Sequence, residues 1–97
     1  MDKQTVLLQL KENLEQIRQR FSVERLSVFG SVVRGEAGEG SDVDVLVAFE
    51  KKANFDIFMD LKFYLEELLG MGVDLVTEKA LRPQVRRTIE QEMVDVA

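Results

Sequence analysis

LSVFGSVVRGEAGEGSDVDVLVAF, residues Leu26 to Phe49, reads as a strand, a Gly-Ser turn opening a short helix, a glycine-rich loop, and a second strand led by two aspartates at alternate positions. Side chains two apart on a strand share a face, so Asp42 and Asp44 are expected to project together while Val43, Val45 and Val47 face the other way. Two carboxylates this close repel each other and raise one pKa unless a cation lies between them. Hard oxygen donors of this kind suit Mg²⁺ or Mn²⁺ bridging to phosphate oxygens. Upstream, Gly30 lets the backbone turn sharply out of the first strand, and Ser31 offers a hydroxyl and a backbone N–H where an anion fits. Alone, an Asp-x-Asp on a strand edge is commonly just solvated charge, and a lone Gly-Ser is weaker still. Here ten residues separate Ser31 from Asp42, a spacing that sets a metal site and a phosphate cradle side by side on one sheet.

Outward from this stretch, Lys3 to Arg20 has the pattern of one amphipathic helix, with Leu7, Leu10, Leu14, Ile17 and Phe21 stepping three and four residues apart to face a core. The first strand is expected over Leu26 to Phe29, the short helix over Val32 to Glu36, and the second strand over Asp42 to Phe49, central and buried on both faces. Arg34, one turn beyond Ser31, is placed either to reach a phosphate oxygen or to pair with Glu36 or a neighbouring carboxylate. Gly35, Gly38 and Gly40 serve a turn that Ser41 closes with a local hydrogen bond. Asn54 is an N-cap for a helix to about Leu69, with Phe55, Phe58, Leu61, Leu65 and Leu68 on its core face, ended by Gly70 and Gly72.

Val73 to Thr77, VDLVT, is a third strand, and Asp74 within it needs an explanation, because a carboxylate in a short apolar strand is costly unless paired or bound to a cation. Placed beside the second strand, it joins Asp42 and Asp44 around a metal; on an exposed edge strand it is merely solvated. Pro83 starts a last helix reaching about Val94, with Val85, Ile89 and Met93 buried and Arg82, Arg86 and Arg87 forming a small basic cluster.

Ninety-seven residues make one domain, 1–97, without room for a separate module to recognise a large substrate. A net charge of −5 with no long basic run argues against nucleic acid as the direct ligand. The absence of cysteine rules out a disulfide framework, and the absence of histidine leaves a carboxylate, or else Lys or Tyr, as any general base. The N-terminus lacks an apolar leader and no apolar run approaches the ~20 residues of a membrane span, so a cytoplasmic location is expected.

GSVVRGEAGEGSDVDVLV resembles the signature of nucleotidyltransferases with the DNA polymerase β-like fold, specifically the minimal nucleotidyltransferase (MNT) family, and VDLVTEKALRPQVRRTIEQEMV is similar to that family's ending. The likeness runs along nearly the whole chain; Val33, where the family usually has a small residue, is a conservative departure. The resemblance implies an α/β (α+β) fold, a small mixed sheet flanked by helices. It implies transfer of AMP from ATP to an acceptor hydroxyl, with two Mg²⁺ ions held by Asp42, Asp44 and Asp74, the last able to take the proton. Gly30 and Ser31 hold the phosphates, with Arg34 as a further nucleotide-binding candidate. Family members of this size resemble antitoxins that adenylylate a tyrosine of a HEPN-domain ribonuclease toxin, and an acidic surface suits a basic RNA-cleaving partner. The alternatives are a small-molecule nucleotidyltransferase of the antibiotic-modifying type, and an antitoxin that acts by binding alone.

Overall fold

Asn13 divides the N-terminal amphipathic stretch into two helices, α1 (Lys3–Glu12) and α2 (Leu14–Phe21), in the computed structural model, which describes residues 2–38 and 40–96. The single helix expected from the periodicity is therefore broken. An Asn side chain competes for backbone hydrogen bonds, and Asn13 Nδ2 donates to the carbonyl of Gln9 at 2.8 Å while its own carbonyl accepts from Ile17 N–H at 3.0 Å. The break changes which residues point inward: Val6, Leu10, Ile17 and Phe21 are buried, and Leu7 and Leu14 only partly so.

Four strands form one mixed sheet in the order β3-β2-β1-β4, with β1 at Val23–Phe29, β2 at Val43–Phe49, β3 at Val73–Thr77 and β4 at Val94–Asp95. β1 runs antiparallel to β2, whereas β2 and β3 are parallel and so need a crossover, supplied by α4 (Phe55–Leu69). Asn54 caps α4 as expected, its Oδ1 accepting from Ile57 N–H at 2.8 Å, and Gly70 ends it in the left-handed conformation. β1 begins earlier than Leu26 because a bulge between Val23 and Arg25 keeps both paired to β2.

On one face of the sheet, Val23, Leu26, Val28, Val43, Val45, Val47, Val73 and Leu75 pack with Leu10 and Ile17 of the N-terminal helices and Leu61, Leu65 and Leu69 of α4. Each fully buried side chain of this size contributes roughly 1.5–3 kcal/mol against an exposed one. β2 is central, as its apolar run predicts, but it is not buried on both faces. On its second face Leu46 is buried while Asp44 and Ala48 are only half-buried, since few elements cover that side. Phe55, expected in the α4 stripe, is 73% exposed.

The C-terminus departs from the expected long helix. After a 3₁₀ turn (Glu78–Ala80), α5 spans Pro83–Glu92 with Pro83 in its first turn, and Met93 turns extended at ψ 150. Val94–Asp95 then pairs with the free edge of β1 through Ser27↔Asp95 and Val28↔Val94, and Val96 N–H donates to Leu26 O at 2.8 Å. An open sheet edge outcompetes another helical turn for β-branched residues. Of the expected buried face of α5, Ile89 is buried, Met93 half-buried and Val85 exposed. Among the described residues no helix is long and apolar enough to cross a membrane.

Candidate active site

The register of the sheet sets the site. Phe29, the last residue of β1, pairs with Asp44, and Asp44 pairs in turn with Asp74 across the parallel ladder. Residues in register on neighbouring strands present their side chains to the same face, so Asp44 and Asp74 stand next to each other, and like charges so placed are destabilising. Asp42, the residue before β2, lies against Gly72, where an added Cβ would come within 3.1 Å of Asp42 Cγ; Val43 N–H donates to the Gly72 carbonyl at 2.9 Å. Asp42 and Asp74 are exposed and Asp44 is half-buried. Burial pushes the Asp44 carboxyl above its ordinary range, the charges of Asp74 and Asp42 push it further, and the Arg34 guanidinium draws it back.

Directly after Phe29, Gly30 takes φ 79 and ψ −152, a conformation open to glycine and little else. The turn delivers the chain into α3 (Ser31–Arg34), which Gly35 closes in the left-handed conformation. Gly30 lies against the Asp44 side chain so closely that a Cβ would fall 2.9 Å from Asp44 Cγ and nearer still to its carboxylate oxygen. Gly30 and the Asp44 carboxylate are thus in contact, and Ser31, the next residue, is half-buried. In the loop that follows, Ser41 Oγ accepts from Gly38 N–H at 3.1 Å, the local hydrogen bond anticipated for it; Glu39 lies outside the described residues.

Arg34 pairs with Glu36 and with a second carboxylate, one of the two arrangements expected for it. Its Nε donates to Glu36 at 3.0 Å, and its Nη1 donates to both oxygens of Glu92, at 3.1 and 3.0 Å. Glu92 Oε1 also accepts from Gly30 N–H at 3.0 Å. Hydrogen bonds from Arg34 and then from Gly30 hold the Glu92 carboxyl below its ordinary value, and the two acids raise the Arg34 pKa. Neither Glu92 nor Gly72 was found from sequence as part of the site, because neither stands at a local spacing from Gly-Ser or Asp-x-Asp.

Among the described residues no three acidic side chains are drawn together closely enough to enclose an ion. The donor set nonetheless fits a hard divalent cation: carboxylates from β2, its leading residue and β3, whose mutual repulsion at Asp44 a positive charge would relieve. A concavity of about 600 Å³ opens beside Asp42, lined by Gly38, Ser41, Met71 and Gly72 among others. Another, of about 810 Å³, lies at the far end of β2 between Phe49, Phe55, Phe58 and Lys52, away from the carboxylates.

The family described as the nucleotidyltransferase domain matches residues 10–96, a span that holds the mixed sheet, the Gly-Ser turn and the three aspartates. The chain belongs to that family. It is 46% identical over 87 residues to protein adenylyltransferase MntA of Thermococcus cleftensis, the match covering 90% of this chain and 88% of the relative. A solved structure described as a candidate minimal nucleotidyltransferase superposes with a TM-score of 0.81 at 42% identity, covering 97% of this chain and 95% of its own. A chain from the complex of tri-AMPylated Shewanella oneidensis HEPN toxin with MNT antitoxin gives 0.68 at 14% identity over 94% of this chain and 71% of its own, a likeness of fold alone.

Proposed function

We propose that this domain transfers AMP from ATP to a hydroxyl of a partner protein, a tyrosine of a HEPN-domain ribonuclease toxin, and thereby acts as the antitoxin. The observation that carries the reading is the in-register pair Asp44 and Asp74 set against the Gly30–Ser31 turn. The similarity to protein adenylyltransferase MntA supports the reaction, and the fold shared with a toxin-bound MNT antitoxin supports the partner.

In this reading Asp42, Asp44 and Asp74 hold Mg²⁺, with Mn²⁺ as a substitute. When bound, the metal neutralises phosphate charge and lowers the pKa of the acceptor hydroxyl. Gly30 and Ser31 orient the outer phosphates through the backbone of the turn and the Ser31 hydroxyl, so that pyrophosphate leaves away from the incoming oxygen. Asp74, exposed and on the edge strand, is open to the acceptor side and takes the hydroxyl proton. Arg34 reaches a phosphate only by exchanging its partners Glu36 and Glu92.

Intact mass of the protein encoded by the neighbouring gene, after incubation with this protein, ATP and Mg²⁺, tests the proposal. One or more added AMP units with wild type, and none with the Asp42→Asn/Asp44→Asn double variant, is the expected result. A partner that is silenced in a stable complex without gaining mass would replace catalysis with binding alone.

A further inference from the structure

We infer that Glu92 is a positioning residue of the active site, a brace that fixes the Gly30–Ser31 turn against Asp44 from the far end of the chain. The inference deepens the function proposed above and rests on that reading of the turn. Gly30 is buried, it stands one residue beyond β1, and its N–H donates to Glu92 Oε1 at 3.0 Å. A buried N–H stripped of its acceptor is costly, so this hydrogen bond decides where the peptide sits. On its other side Gly30 meets the Asp44 carboxylate, leaving no room for a Cβ. The Gly30 backbone is therefore gripped between two carboxylates, one from β2 and one from α5.

Arg34 extends the grip. Both Glu92 oxygens accept from Arg34 Nη1, tying the last residue of α3 to the same carboxylate that holds the residue before its first. Charge-assisted pairing of this kind fixes geometry as well as adding attraction. Arg34 is thereby a tether of the turn. The placement of Glu92 runs against helix preference, because the last turn of α5 carries the negative end of the helix dipole, where a carboxylate is unfavourable. What is wrong for the helix is right for Gly30 and Arg34.

Glu92→Gln and Glu92→Ala in the full chain test this, read by amide hydrogen exchange, thermal unfolding and steady-state kinetics with ATP and Mg²⁺. For Glu92→Ala, which removes the acceptor, exchange at Gly30 and Ser31 should rise about tenfold or more while the amides of β2 and α4 stay protected; Glu92→Gln, which keeps an oxygen for the Gly30 N–H and loses only the charge facing Arg34, should fall between Glu92→Ala and wild type. KM for ATP should rise by about fivefold or more in Glu92→Ala, which a mere loss of folded protein does not produce. Unchanged exchange at Gly30 and Ser31 overturns the brace, and so does raised exchange with an unaltered KM. If wild type transfers no AMP, the proposed function fails, and the brace is judged by Gly30 exchange together with calorimetric affinity for ATP with Mg²⁺. Equal affinity of wild type and Glu92→Ala then overturns it.

Discussion

Gly30→Ala separates the cost of an awkward backbone from the cost of moving a site carboxylate. At φ 79 and ψ −152, Gly30 lies in a region that costs any other residue roughly 1–3 kcal/mol. The new Cβ would lie 2.9 Å from Asp44 Cγ, so Asp44 must also leave its place. Gly70 is the control: its φ 70 and ψ 25 are left-handed, worth roughly 1–2 kcal/mol against alanine, and a Cβ there meets nothing within 4 Å. In a domain of this size each kcal/mol moves Tm by about 4–8 °C. Gly70→Ala should therefore lose about 4–16 °C and Gly30→Ala about 4–24 °C, values that overlap. Activity decides between them. Misplacing a reacting group by about 1 Å costs on the order of a hundredfold, so Gly30→Ala should fall by about that factor per folded molecule. Gly70→Ala should stay within about twofold of wild type, because the added Cβ touches no site carboxylate. Unfolding monitored by circular dichroism, with AMP transfer assayed well below each Tm, gives both numbers. Wild-type transfer by folded Gly30→Ala would refute the dependence of Asp44 on the missing Cβ.

Two other outcomes follow from the charges. Asp44→Asn should abolish AMP transfer yet raise Tm in the absence of divalent cation. Burial, Asp74 and Asp42 raise the Asp44 pKa, so the folded protein binds that proton more tightly than the unfolded chain, and its ionised form is a cost at neutral pH. Calorimetric scans in chelator would count against this if the variant melted lower than wild type. Glu66 behaves oppositely: Val73 N–H, bonded at 3.1 Å, and then Lys62, at 3.0 Å, hold its carboxyl below the ordinary 4.5. Its contribution is full above pH 4.5 and is lost as pH falls through the lower folded value. Urea unfolding of wild type and Glu66→Gln should therefore show a gap at neutral pH that closes in acid, and a gap that persists or widens there would contradict the assignment.

Much of the site could be read along the chain because its parts are local. Gly30 and Ser31 follow directly on a strand, and Asp44 sits on the next one, with ten residues between Ser31 and Asp42. Hairpin-like connectivity brings such neighbours together whatever the remainder does. Asp74 was legible for a different reason, as a charge inside an apolar strand, although its exposure on the edge strand makes it less costly than a buried carboxylate. The helix break at Asn13 and the short strand β4 were not legible. One turns on a single side chain taking a backbone carbonyl, and the other has too few residues to show a period.

The sequence by itself determined the strand, turn and strand that carry Gly30, Ser31, Asp42 and Asp44, and the apolar stripes that build the helical face of the core, since these depend on periodicity and backbone preference within a short span. Only the tertiary structure decided that Asp74 stands in register with Asp44, that Gly72 makes room for Asp42, and that Glu92 takes both the Gly30 N–H and Arg34. Strand order and register are long-range choices, and a hydrogen bond between residues 62 apart leaves no trace in local spacing.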